Sequence, residues 1–306
     1  MSDAKSRLVA PETARRLGTM ELRARTIVEG AFAGRHRSAF HGSSVEFAEH
    51  KEYSPGDEPR HIDWRAVGRT DRHLVKRFED ETELTAYLCL DRSGSMSYGG
   101  GAVTKLEYAA TLLAALAWLL GRQRDRVGLM VSGGGGPDAW IPPRGRAGHV
   151  GELLGELEQA VAGGARGATT LAPALERVGE LARRRSLVIV ATDLLEAEPG
   201  PLACLRQLRA RGHDVTLLHV LDRDELELPF EEMCEFRSLE DERRMLVDPR
   251  AIRATYLERL RQFLDAARRG CEEGDVEYRL VPTDAPLDIA LADALGDRAR
   301  RRRVGR

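Results

Sequence analysis

From Leu84 onward, short apolar runs rich in β-branched residues alternate with longer helical stretches, a rhythm that few architectures accommodate. Strands that follow one another through helices are parallel, because a parallel pair needs a long crossover, and such a sheet is covered by helices on both faces. The runs at 85–90, 127–131, 187–192, 215–220 and 276–281 predict strands. The stretches at 106–120, 150–161, 171–184, 202–211, 252–273 and 287–295 predict helices, with Gly121 closing the first, Pro201 opening the fourth and Gly212 closing it. The expected fold is therefore α/β, a doubly wound, mostly parallel, Rossmann-like sheet.

Two regions break the rhythm. Residues 10–28 predict a helix, followed by a polar arm from 29 to 72 with little periodicity. Between about 222 and 249 the chain reads as an inserted acidic β-hairpin, with 235–237 and 244–247 as its arms. The expected organisation is an N-terminal helix and arm over 1–83, an α/β domain over 84–297 and a basic tail over 298–306.

Composition excludes several classes. The longest apolar run, Tyr108 to Leu120, is bounded by Glu107 and Arg122 and is short of the roughly 20 residues that cross a bilayer. Residues 1–20 mix acids and bases without a signal peptide's apolar centre, so the expectation is a cytoplasmic protein with no membrane partner. Cys89, Cys204, Cys234 and Cys271 are scattered without paired spacing, which argues against a disulfide framework or a zinc site. Formal charge is only -2, and lysine appears only at Lys5, Lys51, Lys76 and Lys105. The arginine-rich tail could touch a phosphate backbone, but no aromatic platform interleaves with it and the domain is not basic, which argues against a nucleic-acid partner.

The chemistry concentrates at predicted strand ends. Leu88-Cys89-Leu90-Asp91-Arg92-Ser93-Gly94-Ser95-Met96 places a carboxylate and two hydroxyls directly after a buried strand, where open α/β sheets bind ligands. Thr169 or Thr170 before a helix, and Asp193 after the run at 187–192, bring oxygen donors from two more loops. Hard oxygens with few carboxylates suit Mg²⁺, which keeps part of its hydration shell; Mn²⁺ or Ca²⁺ are alternatives. Asp and Ser are also what a strand-to-helix turn selects for capping, so a purely structural role competes.

The triple pattern of Asp-x-Ser-x-Ser, a Thr in Gly-x-Thr-x-Leu and an Asp after the next central strand resembles the metal-ion-dependent adhesion site (MIDAS) of von Willebrand factor A domains. The resemblance implies Asp91, Ser93 and Ser95 as first-loop ligands, Thr169 as the second-loop ligand and Asp193 as the third. Where many such domains carry Gly after the third-loop Asp, this chain has Leu194.

The arm from Val45 to Trp64, with Pro55-Gly56 as a tight turn, followed by Arg69-Thr70-Asp71 and Val75-Lys76-Arg77-Phe78-Glu79, resembles the bacterial family called domain of unknown function fifty-eight. The resemblance runs from Leu22 to Leu295. It implies a partner, since members look to be encoded beside MoxR-type AAA+ ATPases and are thought to act with them as adaptors. Within the arm, Tyr53, Asp57, Arg60, Asp63, Trp64 and Arg65 could be a partner surface or a clasp of arginine-carboxylate pairs and a packed tryptophan.

Enzyme readings fit less well. Ser93 stands where an aspartyl phosphatase has its second aspartate, the Gly-x-Ser-x-Gly elbow is missing, and Gly133 to Gly136 is not followed by the lysine of a phosphate loop. The expectation is a non-enzymatic, metal-dependent adaptor for an AAA+ ATPase and an unknown client. A nucleic-acid binder, or a hydrolase with its site between His50 and Asp63, is the alternative.

Overall fold

The structure is a computed structural model describing residues 8–34, 49–52, 74–77, 84–133, 138–146, 148–167, 171–182, 185–195 and 200–304. The chain divides into two compact units, one of residues 37–83 and one of residues 1–36 with 84–306. In the first, strand β1 (Glu49–Glu52) pairs antiparallel with β2 (Leu74–Arg77), Glu49 opposite Arg77. The arm residues Tyr53, Asp57, Arg60, Asp63, Trp64 and Arg65 lie outside the described residues.

The larger unit opens with helices α1 (Pro11–Arg15) and α2 (Met20–Gly34). Its sheet contains β3 (Thr85–Asp91), β4 (Arg126–Ser132), β5 (Ala139–Arg144), β6 (Leu187–Thr192), β7 (Asp214–Leu221) and β10 (Glu277–Pro282), in the order β10-β7-β6-β3-β4-β5. All pairs are parallel except β4 with β5. The helices between them are α3 (Lys105–Arg122), α4 (His149–Gly163), α5 (Leu171–Leu181), α6 (Gly200–Ala210), the short α7 (Arg223–Glu227), α8 (Pro249–Glu273) and α9 (Leu287–Val304). Strands β8 (Cys234–Arg237) and β9 (Arg244–Val247) form a separate antiparallel hairpin, at the expected place.

Alternation along each strand sends successive residues to opposite faces. Tyr87 and Cys89 of β3, Val188 and Val190 of β6, and Val215 and Leu217 of β7 pack with α5, α6 and α8 through Leu175, Val178, Leu205, Leu208 and Ala267. The other face carries α3, which is buried almost all round and packs against α2 and α4. A helix apolar on every side is stable only inside a molecule, and Leu112, Leu113, Leu116 and Leu120 are fully enclosed. Its start is fixed by Thr104, whose hydroxyl accepts from the Glu107 N–H at 3.1 Å.

Chain order makes a crevice. From β3 the chain moves outward to β4 and β5, then crosses to β6 on the other side of β3. The carboxyl ends of β3 and β6 thus flank the switch point, where diverging connections leave room for a ligand.

A hairpin between Val131 and Trp140 was expected, and β4 pairs antiparallel with β5, Val131 opposite Ala139; β5 runs on through Pro142 and Pro143, which an edge strand tolerates because its outer N–H needs no partner. Three expectations need correction. The single helix expected at 10–28 is two, broken around Gly18, and the second continues to residue 34. Both belong with the sheet rather than with the arm, so the compact division differs from the expected one at residue 83. Helix α9 runs to Val304, through most of the expected 298–306 tail, as arginine is a good helix former. Among the described residues, no helix is long and apolar enough to cross a membrane.

Candidate metal site

The site begins where β3 ends. Asp91 is the last residue of the strand and 2% exposed. One carboxylate oxygen accepts from the Ser93 N–H at 2.9 Å, which folds the loop back over the strand end, and the other accepts from the Thr192 hydroxyl at 2.7 Å. That second contact crosses from β3 to β6. The next turn, Gly94–Ser97, sets the Ser93 and Ser95 hydroxyls 3.1 Å apart. Two hydroxyls and a carboxylate therefore meet at one strand end.

The second loop is tied to the first by its backbone. Gly94 N–H donates to the Gly167 carbonyl at 2.8 Å, and Arg166 N–H donates to the Arg92 carbonyl at 3.2 Å. Thr169, and Thr170 beside it, lie outside the described residues.

Asp193 follows β6 and is buried; its Oδ1 accepts from Leu195 N–H at 3.2 Å. Leu194 takes a φ of 53°, the left-handed conformation that glycine adopts without steric cost. The glycine preference noted at this place thus has a backbone cause, and the leucine is held there because its side chain is buried in the core. His219 anchors the loop from β7. A carbonyl can only accept, so Nε2 donates to the Asp193 carbonyl at 2.9 Å and Nδ1 accepts from the Tyr278 hydroxyl at 2.8 Å. Burial lowers the imidazole pKa to about 4, so the ring is neutral.

Lys105, in the first turn of α3, has a fully buried ammonium. It donates to Asp193 Oδ2 at 2.8 Å and to Glu225 Oε1 at 2.6 Å. Burial acts to lower its pKa, but Asp193 and Glu225 outweigh that and leave it above the ordinary value. Glu225 in turn accepts from the Asp222 N–H, completing a capping box that starts α7. Sequence reasoning missed Lys105, Glu225 and Thr192; the one available signal was that Lys105 is a rare lysine in an arginine-rich chain.

The electrostatics leave negative charge in excess. Burial first, and Asp193 second, raise the Asp91 pKa to about 6. Asp193 also pushes up Glu225 and Glu240, each of which burial raises first. Lys105 is the cation that meets Asp193, whereas Asp91 accepts hydrogen bonds from neutral groups. The Ser132 hydroxyl, on β4 in register with Asp91, is buried without a hydrogen-bond partner among the described residues. An all-oxygen set with surplus negative charge fits a hard divalent cation, Mg²⁺, Mn²⁺ or Ca²⁺, better than a softer metal that prefers sulfur or imidazole. Among the described residues no three His, Cys, Asp or Glu side chains cluster as a ligand set, so hydroxyls would have to supply part of the coordination.

Residues 49–263 match the family described as "Protein of unknown function DUF58". Curated relatives include uncharacterized proteins of Mycobacterium tuberculosis and Mycobacterium bovis, each 31% identical over 224 residues, covering 72% of this chain and 68% of theirs. Among solved structures, BatB from Bacteroides thetaiotaomicron is similar over 71% of this chain and 99% of its own, with 17% identity and a TM-score of 0.48. The SpRpn10 VWA domain is similar over 69% of this chain and 94% of its own, with 13% identity and a TM-score of 0.38. A family match that starts in β1 and ends in α8 takes in the arm, the strand-end carboxylates and the hairpin alike, and by it the chain belongs to the DUF58 family.

Proposed function

We propose that the chain is a non-enzymatic adaptor that captures a carboxylate of a partner protein through a divalent cation at the end of β3. The observation that carries this reading is the meeting of buried Asp91 with the paired hydroxyls of Ser93 and Ser95, beside Asp193 and with more carboxylate than Lys105 neutralises. Asp91, Ser93 and Ser95 would hold the cation, with Thr169 from the second loop and Asp193 from the third. The cation, Mg²⁺ or alternatively Mn²⁺ or Ca²⁺, would supply a positive centre that draws an incoming carboxylate. The chain's own residues orient it: Thr192 fixes Asp91, and His219 fixes the Asp193 backbone.

The partner is a MoxR-type AAA+ ATPase acting on a client, and the process is protein remodelling or complex maturation in the cytoplasm. This partner follows from the family resemblance, and the arm with Tyr53, Asp57, Arg60, Asp63, Trp64 and Arg65 adds contact surface. No catalytic residue is assigned.

The test is a tagged pull-down from the native cell with wild type and Asp91→Ala, each with Mg²⁺ and with chelator. Capture of an AAA+ ATPase by the wild type with Mg²⁺, lost in the other three samples, supports the reading. An unchanged partner set in all four sinks the metal mechanism.

A further inference from the structure

The hairpin of β8 and β9 does not end in open space. Its tip, residues 238–243, is closed by Ser238 N–H donating to the Arg243 carbonyl at 2.9 Å. The Ser238 hydroxyl accepts from the Glu240 and Asp241 N–H groups at 3.3 and 3.2 Å, and Asp241 Oδ1 accepts from the Arg243 N–H at 3.0 Å. These bonds give the tip a fixed shape before it meets anything else. The shape presents Leu239 and Glu240 to the loop after β3.

Contact there is close. A Cβ on residue 94 would overlap the Leu239 carbonyl and stand 3.2 Å from Glu240 Cγ, so the tip seats only because residue 94 is glycine. With its Cγ set against residue 94, Glu240 lies near the Ser95 N–H and hydroxyl, which favour its charge, while burial and then Asp193 disfavour it. Glu240 thus brings a carboxylate beside the cation site, which is what an adaptor of this kind asks of its partner. Lys105 is already shared between Asp193 and Glu225, so holding a further carboxylate beside Asp91 and Asp193 is unfavourable unless a second cation offsets it. Glu240 is nonetheless exposed, and so is Leu239, so the tip can lift without opening the core.

We propose that Glu240 is an internal ligand of this site, and that the β8–β9 hairpin is a latch which holds the place of the partner's carboxylate until the partner displaces it. The proposal rests on the metal-dependent reading above. Its occupant is a segment of the chain itself, and the ligand that competes with it is an acidic side chain of another protein.

The test uses the full chain and Mn²⁺ as the probe, with wild type, Glu240→Ala and Asp91→Asn compared. Dissociation constants come from electron paramagnetic resonance of free Mn²⁺, and water bound to the metal is read from proton relaxation. Removing a ligand should weaken Mn²⁺ binding by at least the roughly ten- to hundredfold that loss of an outer-shell partner costs, and raise relaxivity per bound ion, because water enters the position Glu240 leaves. Amides of residues 238–243 should gain hydrogen-exchange protection from Mn²⁺ in the wild type and not in Glu240→Ala. Equal affinity and equal relaxivity in wild type and Glu240→Ala would overturn the latch and leave the metal site standing. Failure of the wild type to bind Mn²⁺ any better than Asp91→Asn would overturn the site, and the latch with it.

Discussion

At the residue scale, Asp91 carries a buried charge that costs stability, a cost the proposed cation would offset. Its carboxylate is buried at the end of β3, and its pKa rises to about 6 because burial, and then Asp193, disfavour the charge. An acid whose folded pKa is raised costs stability at every pH above that value, and the cost fades as pH falls toward its ordinary 3.8. The shift amounts to at most about 3 kcal/mol at about 1.4 kcal/mol per unit. Asp91→Asn keeps an oxygen for the Ser93 N–H but leaves the Thr192 hydroxyl without its acceptor, a loss of about 1 kcal/mol. In chelator at pH 8 the variant should therefore melt higher than wild type, by about 2 kcal/mol near Tm, with the advantage shrinking between pH 6 and pH 4. Millimolar Mg²⁺ should stabilise the wild type and not the variant, by about 2.7 kcal/mol at a hundredfold excess over Kd. Scanning calorimetry across pH decides it; a variant less stable than wild type at pH 8 in chelator would mean that Asp91 is a structural cap.

At the element scale, Lys105 joins three pieces distant in sequence: the first turn of α3, the loop after β6 and the start of α7. Removing one partner from a buried ion pair leaves the others charged and unsolvated, at a cost of about 3–5 kcal/mol. Lys105→Met should lose stability in that range by urea unfolding. It should also gain more from Mg²⁺ than wild type does, because Asp193 is left without its cation; an equal gain would mean that Asp193 is remote from any bound metal. This knot explains what could and could not be read from sequence. Asp91, Ser93 and Ser95 were legible because one loop holds them at fixed spacing. Lys105 and Glu225 were not, since a separation of 120 residues leaves no local pattern. The hairpin was legible from its two β-rich arms, but the seat of Glu240 against Gly94 depends on how the insertion folds over the sheet. Edge strand β5 was legible only as the return arm of a hairpin at Trp140; its course through Pro142 and Pro143 was not, because two prolines outweigh strand propensity when the edge position is unknown.

At the scale of the whole molecule, the sheet unit is assembled from both ends of the chain. Val9 N–H donates to Asp288 at 3.1 Å, and Leu287 N–H donates to the Val9 carbonyl at 3.0 Å, so the first described residues bind the start of α9. Gly30 lets this contact form, since a Cβ there would stand 2.9 Å from Val9 Cγ2. Helix α2 covers α3 with Met20, Ala24, Ile27 and Val28, all buried. An apolar helix such as α3 cannot face water on that side. Burying Met20, Ile27 and Val28 contributes roughly 5–9 kcal/mol at 1.5–3 kcal/mol per side chain, against a net stability of about 5–15 kcal/mol for a typical domain. A chain beginning at Arg37 should therefore lack a cooperative thermal transition and bind a hydrophobic dye, although every strand of the main sheet is present. Ile27→Ala in the full chain should keep the transition and lose about 2–5 kcal/mol. If the truncated chain melts as sharply as the full one, α2 is an accessory to the sheet unit and the boundary at residue 83 is the physical one.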